Sequence, residues 1–287
     1  MNTARLLLPA LLLAACTARV DIRLDESAPA IVIHGYITTD TARHPVTISR
    51  STAYFAVTPP PPVRGATVTI SRGHDTFPFV EDDTLPGTYR PVTPIACTPG
   101  ATYTLAVTVS ENGTPATYTA SSTAPLDSEI DSIELRPSTV FKNSVEVLGH
   151  GTLPDNEKNF LSFHLYRDGL HLTSRLEDLF IVDDSYFKQK EMHGVLCQLL
   201  DQETPATTLS PGDVVTLRVD VLPEDYARFL QQARQQARGS NPIFSGPPAN
   251  ISTNITRVSP AADTSPVAGF FAAFPTRKKS AVYAPLP

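Results

Sequence analysis

The sequence predicts a mainly β protein, and three observations carry that reading. Apolar residues recur at every second position in short runs, as at Tyr103, Leu105, Val107 and Val109, the signature of a strand with one buried face. Turn-forming pairs such as Pro86-Gly87, Asn112-Gly113 and Asp168-Gly169 punctuate those runs. The composition agrees: 27 Pro, no Trp and only two Met among 287 residues, with Thr, Val and Ser abundant, favour strands and turns over helices.

Residues 29–125 read as one run of short strands. Ile31, Ile33 and Ile37 alternate with polar or small neighbours, and Val46 and Ile48 follow a turn near Asp40–His44. Pro59-Pro60-Pro61-Pro62 cannot join a central strand and reads as an exposed polyproline connection. Ala66, Val68 and Ile70 then point inward, Pro86-Gly87 turns the chain toward Tyr89, and the Tyr103–Val109 stripe is answered across Asn112-Gly113 by Thr117–Ser121. Strands at this spacing predict a sandwich of immunoglobulin-like type.

Pro125 and the polar stretch Asp127–Ser132 mark a domain junction, so residues 126–287 are expected to form a second, β-rich domain. It opens with Ile133–Leu135 and Val145–Leu148. The Asp168-Gly169 turn then pairs Arg167 with Leu170, Tyr166 with His171, Leu165 with Leu172, and His164 with Thr173. Phe163, Leu165 and Leu172 share the buried face; His164, Tyr166, His171 and Thr173 share the other. Val215, Leu217, Val219 and Val221 form a further strand with Arg218 and Asp220 outward. A helix is expected near 223–238: Pro223 suits a first helical position, Glu224 and Asp225 complement the helix dipole, and Gly239 closes it. Tyr226, Phe229, Leu230, Ala233 and Ala237 make its packing stripe, leaving Arg228, Gln231, Gln232, Arg234, Gln235 and Arg238 solvated. Val267–Phe274 and Ala281–Tyr283 supply closing strands.

The first residues say more about location than about activity. Arg5 precedes an apolar run of about ten residues, well short of the ~20 that span a bilayer, so residues 1–15 read as a cleavable export signal. Leu13-Ala14-Ala15 leads into Cys16 as in a bacterial lipobox, which makes Cys16 the expected site of lipidation by a diacylglyceryl thioether and an N-acyl chain. More than one acyl chain gives stable attachment, where a single chain gives only marginal binding. Residues 16–28 are then a lipidated tether and first strand. If Val20, Ile22 and Leu24 already form a strand, only Thr17–Arg19 are free, a reach of roughly 10 Å; if order begins at Ile31 the reach is about 50 Å. The three apolar side chains on one face favour the shorter leash.

The net charge of −6 becomes one unit more negative without Arg5, which argues against nucleic acid as a partner. Two thiols remain after lipidation, Cys97 and Cys197. Outside the cytoplasm they could close a disulfide loop of roughly 100 residues, a stabilisation of about 4–5 kcal/mol; the alternative is two separate small hydrophobes, which carries more weight.

Little in the chain points to chemistry. His164 and His171 are the one metal-like pair, diagonal neighbours across the Asp168-Gly169 hairpin, with Asp183-Asp184 as an oxygen ligand. A metal site needs three or four ligands, so a half-polar strand face is the stronger reading. His34, opposite Ile31, Ile33 and Ile37, reads as structural. No Gly-x-Ser-x-Gly elbow or phosphate-binding glycine loop occurs, and no cofactor is expected.

Several segments in order resemble one family. They are the lipobox, Val20–Leu24, the Ile-Val-Ile-His-Gly-Tyr-Ile-Thr strand at Ile31–Thr38, Pro59–Ile70 and Pro99–Leu105. Glu224–Tyr226, Pro247–Ile255 and Gly269–Phe271 follow. Together the chain resembles domain-of-unknown-function family 4249, outer-membrane lipoproteins of Bacteroidetes. The resemblance implies an accessory lipoprotein beside a TonB-dependent, SusC-like receptor, and it carries no catalytic residues. The expectation is therefore a non-enzymatic accessory or binding component of nutrient uptake, periplasmic or surface-facing. A stand-alone glycan- or peptide-binding module is the alternative, and a hydrolase is a more distant third.

Overall fold

The computed structural model describes residues 29–52, 58–111, 113–154, 158–187, 190–237, 251–260 and 265–284. Cys16, Val20–Leu24, Tyr54-Phe55, Asn112, Arg238 and Gly239 lie outside them. The first seven strands follow the alternation that the sequence shows. They are β1 (Ile31–Thr38), β2 (Val46–Arg50), β3 (Thr67–Arg72), β4 (Asp75–Glu81), β5 (Thr88–Pro91), β6 (Thr102–Glu111) and β7 (Thr114–Thr123). Ile33, Ile48, Ile70, Leu105 and Val107 have no more than 1% of their surface exposed and form one core. The polyproline run Pro59–Pro62 is exposed, as expected, and Pro62 bridges Ser49.

Beyond the junction come β8 (Glu129–Pro137), β9 (Ser144–Thr152), β10 (Phe160–Arg167), β11 (Leu170–His171), β12 (Phe180–Asp183), β13 (Glu191–Asp201) and β14 (Val214–Leu222). Helix α1 (Glu224–Ala237) follows, then β15 (Thr256–Ser259), β16 (Val267–Phe274) and β17 (Thr276–Val282). A three-stranded sheet, β13-β9-β8, packs on a second sheet ordered β11-β10-β14-β17, with β12 also paired to β10. Phe163, Leu165, Val215, Leu217 and Val219 fill the space between them. Both halves are thus β-sandwiches, the first immunoglobulin-like, and the described residues carry one α-helix.

One boundary needs correction. Residues 126–287 are not a self-contained second domain, because β15 pairs with β7 and β16 pairs in parallel with β1, completing a nine-stranded sheet in the first sandwich. The physical reason lies in the run Gly269–Phe274, which is buried throughout. Phe271 and Ala273 enter the first core, while Phe270, Ala272 and Phe274 face the other way, against Tyr226, Ala227 and Leu222. A strand buried on both faces reads as a continuous apolar run, and such a strand must be covered twice. Helix α1 and the second sheet supply the second cover.

Glycine is required where β16 crosses β1. Gly269 has φ +99°, and a Cβ there would lie 1.9 Å from the Ile33 carbonyl oxygen. After Phe274 the chain turns through Pro275 directly into β17 of the second sheet. Thr276 fixes that crossing: its N–H donates to Thr39 Oγ1 (3.0 Å), whose own hydroxyl donates to the Thr276 carbonyl (3.1 Å).

Candidate functional site

The Asp168-Gly169 hairpin sets the stage. Arg167 pairs with Leu170 and Tyr166 with His171, as the turn dictates. Leu172 N–H donates to the Leu165 carbonyl, and Leu165 N–H donates to Thr173 Oγ1 at 2.9 Å, so the strand gives way to side-chain bonding there. Phe163 and Leu165 are buried in the second core, and His164, Tyr166 and His171 share the opposite face. The His164 and His171 rings lie 5.5 Å apart, and Tyr166 stacks on His171 at 4.4 Å.

That face is not open to solvent. In β14, His164 stands opposite Arg218 and Ser162 opposite Asp220. Arg218 and Asp220, expected outward, are covered, because α1 and the β1–β16 pair close over this side of the sheet. Only 2% of the Asp220 side chain and 20% of that of Arg218 remain exposed. The Asp220 carboxylate accepts from Thr276 Oγ1 (2.6 Å), Arg218 Nη2 (2.8 Å) and His164 Nε2 (3.2 Å). Burial alone would push its pKa up. The hydrogen bond from His164, the charge of Arg218 and the Thr276 hydroxyl outweigh burial and hold the carboxyl below its ordinary value.

Between this polar wall and an apolar wall of Leu179, Leu222, Tyr226, Leu230, Phe274 and Tyr36 lies a cleft of about 370 Å³. Two of its buried polar atoms, His164 Nδ1 and Arg218 Nε, have no hydrogen-bond partner. Orphaned buried groups are uncommon enough to ask for an explanation. His171, at the edge of the cleft, is held below its ordinary pKa by burial and by the nearby His164 and Arg218, against the pull of Asp220.

Ser162, His164 and Asp220 sit together, yet they do not form a hydrolytic relay. Ser162 Oγ lies 3.4 Å and Asp220 Oδ2 3.2 Å from the same nitrogen, His164 Nε2. A relay needs the hydroxyl and the carboxylate on opposite ring nitrogens, so that one accepts a proton while the other is held by the acid. Nor do Asp183 and Asp184 join the histidines. Asp183 accepts from Ser185 and pairs with Lys158 (3.1 Å), and Asp184 holds Asn159 and Lys190. Among the described residues no three His, Cys, Asp or Glu side chains converge as a metal site.

Cys97 and Cys197 are both free and buried, which corrects the disulfide alternative. Cys97 belongs to the first core and Cys197 to the second, so the two thiols are walled off from each other. Burial pushes both up to about 12. On α1, Tyr226 and Ala227 are buried and Phe229 and Leu230 partly so, but Ala237 is exposed. Arg234, expected in solvent, donates to the Leu179 carbonyl and so ties the helix to the cleft's rim. Arg218 and Asp220 are what sequence reasoning missed. Their only signal was two charged residues on the strand face that the neighbouring hairpin shares with two histidines.

Fold and site together define a two-sandwich β protein with a polar cleft at the seam between its halves. The chain belongs to the family described as Domain of unknown function (DUF4249), whose match spans residues 17–280. No curated protein matches it. Among solved structures it is similar to the chicken CNTN1 FN1-FN3 domains, at 11% identity, over 70% of this chain and 64% of that one, with a TM-score of 0.27. The chain thus spans less than two thirds of that structure, and a likeness so distant carries no functional argument. No helix among the described residues is long and apolar enough to cross a membrane.

Proposed function

We propose that this protein is an outer-membrane lipoprotein, anchored through Cys16, that serves as a non-enzymatic accessory or binding component of a TonB-dependent nutrient-uptake system. The observation that carries this reading is the placement of the cleft relative to the point where the tether joins. Pro29 and Ile31 lie at one end of the first sandwich, beside Arg50, Glu111 and Arg257. Tyr36 and Phe274, which line the cleft, lie toward the other end of the parallel β1–β16 pair. Strands of that length put the two ends roughly 25 Å apart. With the tether joining at the first end, the cleft and the second sandwich stay free to meet a receptor in the same membrane or that receptor's ligand.

The shared nitrogen in the Ser162–His164–Asp220 cluster supports binding over hydrolysis. Extraction from the native host in mild detergent is expected to recover a TonB-dependent, SusC-like receptor with this chain. Repeated recovery of the chain alone, while control lipoproteins keep their partners, would contradict the proposal. The stacked Tyr166–His171 pair favours a second reading, a stand-alone glycan- or peptide-binding module. Glycan and peptide arrays probed with the purified protein separate the two.

A further inference from the structure

The hydrogen-bonding inventory of the cleft is lopsided. Asp220, its one carboxylate, already accepts from Thr276, Arg218 and His164. Donors are plentiful by contrast. Arg218 spends Nη1 on Tyr166 Oη (3.2 Å) and Nη2 on Asp220, leaving Nε–H orphaned. Tyr166 Oη, accepting from Arg218, keeps its own O–H to give. The His171 ring, whose Nε2 meets Thr173 Oγ1 at 3.3 Å, adds an N–H at Nδ1 when protonated. A donor-rich wall selects an acceptor, and a carboxylate is acceptor-only. Opposite stand Leu179, Leu230 and Phe274, which suit an apolar body. The volume, about 370 Å³, lies at the small end of ligand cavities, roughly 300–1,000 Å³.

Charge points the same way. Arg218 and Asp220 cancel, so an entering carboxylate leaves the buried site one charge negative. His171, whose ring lies 5.5 Å from that of His164, can restore neutrality by taking one proton from water. The other titratable groups facing them are few. Tyr166 comes from β10, Tyr226 from α1 and Tyr36 from β1. His44, after β1, is within 6.0 Å of the Tyr36 ring. Arg175, Glu177 and Asp178 pair with one another on the turn beyond β11, and Arg234 is spent on Leu179.

We infer that the cleft binds a small monocarboxylate with an apolar body, the carboxylate against Arg218, Tyr166 and His171, and that binding takes up a proton on His171. Because the anion favours imidazolium, affinity rises as pH falls, by up to about tenfold per unit while His171 titrates. This goes beyond the accessory role and does not depend on the anchor or on a receptor.

The test uses the full-length protein in detergent, with acetate, butyrate, hexanoate and phenylacetate as probes and phenylacetamide as the uncharged control. Histidine C2–H resonances report occupancy, and calorimetry in two buffers of different ionisation enthalpy counts protons. Expected are shifts of the His164 and His171 signals, affinity rising from acetate to phenylacetate, amide binding at least about tenfold weaker, and tightening from about pH 8 to about pH 6. His171→Gln should flatten the pH dependence. Arg218→Gln strands Asp220 and can unfold the chain, so Tyr166→Phe, which removes one donor, serves as the second variant and should weaken phenylacetate but not phenylacetamide. Equal binding of acid and amide, or no probe moving either histidine signal, would overturn the inference.

Discussion

Asp220 ties the halves of the molecule together with one side chain. Its carboxylate sits in the second sheet, yet Thr276, which donates to it, is also clasped by Thr39 at the end of β1. Removing one partner of a buried, hydrogen-bonded charge pair leaves the other uncompensated, so Asp220→Ala should cost about 3–5 kcal/mol in urea unfolding. Its folded pKa is depressed. The stability it contributes is therefore fully present above the unfolded value of about 3.9 and is lost as pH falls through the folded one. An acid titration of unfolding should show that loss in the native protein and not in Asp220→Asn. The thiols make a second residue-scale prediction. Native protein should resist iodoacetamide at Cys97 and Cys197 and take up two labels after unfolding without reductant; labels appearing only after reduction would reveal a bridge. The alternation of β14 was legible in the sequence, and it assigned Arg218 and Asp220 correctly to the face opposite Val219. What it could not convey is that this face is covered. Periodicity tells which side chains share a surface, and only tertiary packing decides what lies on it.

Hairpins were the most legible elements, because a two-residue turn fixes register locally. Glu111 opposes Thr114 across Asn112-Gly113, and Tyr166 opposes His171 across Asp168-Gly169. Helix α1 was legible too, from an acidic first turn and an apolar stripe. The parallel pairing of β1 with β16 was not. Nothing local links Ile31 to Val267; the pairing follows from Phe271 and Ala273 needing the first core while Phe270 and Phe274 need α1. Gly269→Ala tests that junction. A Cβ 1.9 Å from the Ile33 carbonyl oxygen, at positive φ, should destabilise by roughly 3 kcal/mol or more, measured by thermal unfolding. Tyr226→Ala, which empties the helix side of the seam, should cost a similar ~3–5 kcal/mol.

At the scale of the molecule, the C-terminal return makes the two sandwiches one folding problem. A chain ending at Ala237 lacks β15 and β16 from the first sheet and β17 from the second, so it should lose both cores together. Retention of one well-dispersed half in its NMR spectrum would show instead that a sandwich stands alone. The same return places the cleft at the end of β1 away from Pro29, and with it the site that a tethered protein would present. The accessory role rests on the body being held at a membrane through Cys16. The direct measurement is the mass of the N-terminal peptide of the protein isolated from its native envelope. The expected result is a chain beginning at Cys16 with a diacylglyceryl group on sulfur and an acyl group on nitrogen. An unacylated Cys16, on a chain recovered in the soluble fraction, would contradict it.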